Sequence, residues 1–159
     1  MSVTADILES WLRPRVVVRR LLGQSRSEPF AFSLLVTGLI LLYLSLAPFL
    51  AREAYFDPDS PMTQRMLAAA LGMAALVPFW YVLAALGHLL ARFFGGKGSF
   101  YGGRIALFWA LVAASPALLA SGLMRGLLGL GGASDVAGFV TLGIFLAFWT
   151  IMLHEAEQA

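Results

Sequence analysis

Apolar residues run in four long blocks separated by short polar stretches. Pro29 to Leu50 holds 22 residues without a charge, and about 20 suffice to cross the hydrocarbon of a bilayer. A second block runs from about 61 to 91, with Ser60 as N-cap and Pro61 at the first helical position. Its length demands tilt or a bend at Pro78. A third covers about 104–124 and is broken by Pro116, whose freed carbonyl needs a donor; Ser115 and Ser121 are the candidates. A fourth spans about 136–153, with Ser134 as N-cap and Asp135 at the positive end of the helix. The pattern predicts an all-α polytopic membrane bundle of four transmembrane helices over 29–153, with a polar tail at 154–159.

Residues 1–28 follow a different pattern. Ile7, Leu8, Trp11 and Leu12 share one helical face, and beyond Pro14 the residues Val17, Val18, Leu21 and Leu22 repeat the spacing. Arg15, Arg19 and Arg20 lie largely off that stripe. An apolar face with Trp beside a basic face predicts an amphipathic helix lying in the lipid headgroup layer. The other reading is that the stripe packs on the protein's own bundle.

Composition agrees with the membrane reading. The chain is 60% hydrophobic and 13% charged, against about 25% charged in soluble domains. With no cysteine, disulfides, thiolate metal sites and cysteine lipidation are excluded. A net charge of +2 is too small to imply nucleic acid. Arginines at 13, 15, 19, 20 and 26 interrupt the start, so it is read as mature protein, with the first membrane helix as an uncleaved insertion signal.

Charge distribution orients the spans. Four spans put both termini on one side, together with Arg13, Arg15, Arg19, Arg20, Arg26, Arg92, Lys97 and Arg104. The other side holds Arg52, Arg65 and Arg125. That bias predicts cytoplasmic termini in the inner membrane of a bacterium. Trp109, Trp149 and Tyr101 then fall near the cytoplasmic interface.

Small residues mark candidate packing faces: Ala68 with Gly72, the ridge of Ala106, Ala110 and Ala114, and Gly143 with Ala147. Gly122 and Gly126 have GxxxG spacing, a dimerisation signal that here straddles a helix end. The loop GGKGS fits neither the P-loop spacing nor G-x-G-x-x-G, and no strand precedes it. Its glycines allow a tight reversal, and Gly95, Gly96, Lys97 and Gly98 with Arg104 are expected at anionic headgroups. His88 and His154 come from different helices, and a ligating pair is the lesser reading. No Asp, Glu or Lys lies within the four spans, and the two arginines inside their bounds, Arg65 and Arg104, sit at span ends, which argues against proton coupling and intramembrane hydrolysis. No catalytic residue, metal or cofactor is expected.

GGKGSFYGGRIALFWALVAASP, residues 95–116, resembles the segment of bacterial Yip1-domain proteins in which a Gly-Gly-Lys-Gly loop leads into a helix ending in proline. ILESWLRPRVVVRRLL is similar to that family's proline-broken amphipathic start. The family usually has five spans, whereas the pattern here supports four unless 117–131 forms a short extra one. The acidic-tyrosine motif of eukaryotic members has no counterpart. The resemblance implies a compact, cytoplasm-facing helical membrane protein and offers no catalytic residues to transfer. The expected function is a non-enzymatic membrane scaffold or organiser, with Trp11, Arg15, Arg19, Arg20, the glycine loop and Arg104 meeting lipid or a partner. Its expected partners are anionic headgroups and a membrane protein or a second copy. The alternatives are an accessory subunit of a respiratory or photosynthetic complex and a small lipid-handling or transport protein.

Overall fold

The computed structural model describes residues 2–24, 26–57 and 59–158. All regular structure among them is helical. Helix α1 (Val3–Leu12) starts at Ser2, whose side chain accepts from the Ala5 N–H. It stops at Arg13 because a residue before proline is pushed out of the helical region, and Pro14 then opens α2 (Pro14–Leu22). Ser27 caps α3 (Glu28–Phe56), a 29-residue helix with Pro48 inside it. The second span is two helices, α4 (Met62–Ala75) and α5 (Val77–Phe93), separated at Leu76 just ahead of Pro78. Pro61, expected at the first helical position, is the N-cap residue of α4. The Ser60 carbonyl instead accepts from the Arg65 guanidinium.

Helix α6 (Phe100–Ala113) is capped by Ser99, whose hydroxyl accepts from the Gly102 N–H. Helix α7 (Ser115–Leu128) continues it after a 45° bend, with Pro116 in its first turn. Gly129, at φ 79°, ends α7, a conformation open to glycine at little cost. Helix α8 (Gly132–Gln158) begins earlier than expected and absorbs most of the supposed tail. Ser134 is therefore inside α8, not at its N-cap, and its hydroxyl donates back to the carbonyls of Gly129 and Gly131. Among the described residues three helical segments are long and apolar enough to cross a membrane, or four if the bent pair α6–α7 is one span.

The core is organised on α6. From Tyr101 to Ala113 every residue except Arg104 is buried. Ala106, Ala110 and Ala114 are fully buried, so this small-residue ridge serves packing within the chain. Trp109, expected at the lipid interface, is 1% exposed. Its indole donates to the Ser10 hydroxyl, 2.9 Å away. The interface position fails for it because α1 and α2 cover that side of α6.

The GxxxG pair also works within the chain. A Cβ on Gly122 would collide with the Ser45 carbonyl, and one on Gly126 with Pro48. These glycines let α7 lie directly on the backbone of α3, and Cα–H···O contacts recur in packing of this kind. Gly38 lets the Leu111 side chain in, 2.7 Å from where a Cβ would stand. Gly72 and Gly143 have nothing within 4 Å of such a position, and Ala68 and Ala147 are exposed. Their faces are open.

Candidate functional site

Helices α1 and α2 form a hairpin against α6 and α8. Leu22, at the end of α2, shares a small cavity with Tyr101 and Ala156. Trp11, at the end of α1, donates to the Ala113 carbonyl at 2.9 Å and sets its ring edge-on to Phe148, 5.5 Å between centroids. Tyr101 to Ala113 and Ala156 to Phe148 correspond to about 12–18 Å along the helices. The tip of the hairpin therefore sits well down the bundle from Leu22. Arg20 bonds to Asp6 at 3.0 Å and to Glu9 at 2.6 Å, which ties α1 back along α2. The hydrogen bond that Arg20 donates to Glu9 raises the Arg20 pKa above that of ordinary arginine, against the opposing effect of burial.

The apolar stripe divides between two surroundings. Val17, Val18 and Leu21 are buried on the bundle. Leu8, Trp11, Leu12 and Val16 are exposed, Leu12 at 84%. Proline 14 turns the stripe, so its two halves cannot face the same way.

The basic residues divide likewise. Arg19 is ion-paired with Glu155, and Arg104 with Glu28 at 2.7 Å while lying over the Tyr81 ring. Arg13, Arg15 and Lys97 are exposed and make no ion pair among the described residues. Of the basic side chains expected at a contact surface, Arg15 and Lys97 are presented outward, whereas Arg19, Arg20 and Arg104 hold the fold together.

The glycine loop wraps the end of α8. The Lys97 N–H donates to the Glu157 carbonyl and the Gly98 N–H to Glu157 Oε2, both at 3.0 Å. His88 Nδ1 lies 2.6 Å from Glu157 Oε1, with the Phe100 ring 4.5 Å from the imidazole. A Cβ on Gly96 or Gly98 would strike Glu157 or Ala156. Gly95, at φ 93°, makes the reversal. His88 thus pairs with Glu157, while His154 is exposed and bonds to Gln158 at 2.8 Å. A tail of carboxylates did not announce this clamp. One signal was present: acids in the last turn of a helix oppose its dipole, so Glu155 and Glu157 needed partners.

A family model described as the Yip1 domain matches residues 8–157. The chain belongs to the Yip1-domain family. No curated protein matches it, and no solved structure does. The match takes in both the hairpin from Leu8 and the Glu157 clamp, so this Yip1 domain includes the proline-broken start as well as the spans. Membership and the apolar helices together make it a membrane protein.

Proposed function

We propose that this Yip1-domain protein is a non-enzymatic membrane organiser that acts through the end of the bundle holding both termini. One observation carries the reading. The α1–α2 hairpin adds two helices to that end, packed on α6 and α8, and directs Leu8, Trp11, Leu12 and Val16 outward next to Arg13 and Arg15. Apolar side chains at the tip fit insertion into one leaflet, with the long side chains of Arg13 and Arg15 extending up toward anionic headgroups. The far end has α3, α4, α7 and α8 only, so the protein is broader in the leaflet that takes the hairpin. The charge bias of the loops supports the cytoplasmic side for that leaflet, in a bacterial inner membrane on this reading. Lys97, on the loop around Glu157, extends the basic face.

The test uses the full chain reconstituted into anionic vesicles. Wild type is expected to shift vesicles toward smaller diameters, and Leu12→Glu to lose that effect while keeping its thermal melt, because Leu12 is 84% exposed. Unchanged diameters with wild type, or an equal effect from Leu12→Glu, would sink the proposal.

A second reading, accessory subunit of a larger membrane complex, rests on α4. This helix buries no residue, touches only α3 and α5, and leaves Ala68 and Gly72 uncovered. Mild extraction followed by native-gel migration separates the readings: a single large assembly favours the subunit, and a small species the organiser.

A further inference from the structure

Helices α3 and α8 do not touch each other. In the half of the bundle away from the termini, α4 leans on α3, and the break at Leu76 carries α5 across to α6 and α8. A crevice of about 310 Å³ remains between α3 and α8, with α7 also in its wall. Ligand pockets begin at about 300 Å³, so the space admits a slender guest. Its lining is mainly apolar. The three hydroxyls that reach it, Ser45, Ser121 and Thr141, already donate to the carbonyls of Leu42, Leu118 and Ala117. Trp80 also lines it, with an indole N–H that is buried and has no acceptor among the described residues; apart from that one donor, hydrocarbon suits the lining better than a polar molecule.

Arg125 also lines the crevice. It is half-buried, and its side chain makes no ion pair or hydrogen bond among the described residues. Its guanidinium lies against α8, 3.2 Å from where a Cβ on Gly138 would stand. A partly buried guanidinium without an acceptor is unfavourable, and its planar fork matches a phosphate. We propose that the crevice holds one acyl chain of an anionic phospholipid from the leaflet on the far side, with the phosphate on Arg125. This site is separate from the hairpin, and neither proposal depends on the other.

The experiment is native mass spectrometry of the full chain, delipidated in detergent and titrated with phosphatidylglycerol or phosphatidylcholine. Wild type should bind one phosphatidylglycerol, and phosphatidylcholine several-fold more weakly. Arg125→Gln should weaken phosphatidylglycerol about five- to tenfold, in keeping with one lost cation–phosphate contact, and Arg125→Lys should restore most of it. Gly138→Leu should abolish binding by filling the crevice; the near atom belongs to the flexible end of Arg125, so the fold should tolerate it. No bound lipid, equal binding of the two lipids, or binding unchanged in Gly138→Leu would each overturn the proposal. Thermal melts identify a variant that has failed to fold, and the lipid preference of wild type together with the variants that do fold then decides the matter.

Discussion

The indole N–H of Trp11 donates to the carbonyl of Ala113, 102 residues away in sequence and 2.9 Å away in space. Ala113 is the last residue of α6, at the break before Pro116, and its carbonyl is one of the helix-end acceptors left without an intrahelical donor. Ser115 and Ser121 were the donors expected at this break. Ser121 instead bonds the Leu118 carbonyl of its own helix, and the indole comes from the amino-terminal hairpin. A helix-end carbonyl left open by the α6–α7 break is thereby linked to the placing of α1.

Removing that donor should loosen the hairpin without destroying the bundle. Trp11→Phe keeps an aromatic ring against Phe148 and loses one hydrogen bond, for about 1 kcal/mol. Trp11→Ala loses the ring as well and should cost about 2–3 kcal/mol, below a fully buried tryptophan because the residue is 42% exposed. The chain has no native cysteine, so thiol labelling of a single Val18→Cys variant reads hairpin opening directly. Labelling should rise in the order wild type, Phe, Ala; equal rates in all three would show that Trp11 does not hold the hairpin.

The glycines of α7 and α8 should respond in opposite ways. Gly122→Ala drives a methyl into the Ser45 backbone, which cannot rotate aside as a side chain can, so a loss of about 3 kcal/mol or more is expected. Gly143→Ala meets nothing within 4 Å and should be neutral or gain up to about 1 kcal/mol from helix propensity. Thermal unfolding in one detergent compares them. A Gly122→Ala protein as stable as wild type would contradict direct backbone contact between α3 and α7.

The carboxylate at 157 should govern the glycine loop. Glu157→Ala leaves His88 and the Gly98 N–H without their partner, at about 1–3 kcal/mol for each buried group. Glu157→Gln keeps the shape and an acceptor oxygen and should fall between Ala and wild type. Limited trypsin digestion at Lys97 is the measurement. Cleavage should quicken in the Ala variant, and resistance equal to wild type would show that the loop is held by other contacts.

The spans were legible because each is a long run without charge, and lipid imposes that rule with little tolerance. The breaks at Pro78 and Pro116 were legible for the same kind of reason, since proline removes a donor wherever it falls. What each face touches was less accessible. Ala106, Ala110 and Ala114 pack on neighbours while Gly72 and Gly143 face outward, although the spacing is alike in all three cases. Periodicity names a face, and only tertiary placement supplies its neighbour. The paired carboxylates near the end read as a solvated tail because their partners, Arg19 and His88, lie more than 60 residues earlier in the chain.

Arginines four residues apart on α2 should behave differently. Arg15 is exposed and makes no ion pair among the described residues, whereas Arg19 reaches Glu155 on α8, a carboxylate whose side chain is only 6% exposed. Arg15→Gln should therefore weaken attachment of the hairpin to anionic lipid by roughly one cation's share, about fivefold at low salt, and leave the melt unchanged. Arg19→Gln strands a buried acid. That should lower stability by about 1–3 kcal/mol, and Glu155→Gln in the same chain should recover part of the loss, as a double-mutant cycle requires. Lipid contact is read from the salt dependence of fluorescence of a label at position 12 in anionic nanodiscs, and stability from thermal unfolding. If Arg15→Gln lowered the melt as much as Arg19→Gln, or if the two arginines gave the same salt dependence, the division of α2 into a bundle-holding and a lipid-facing side would be wrong.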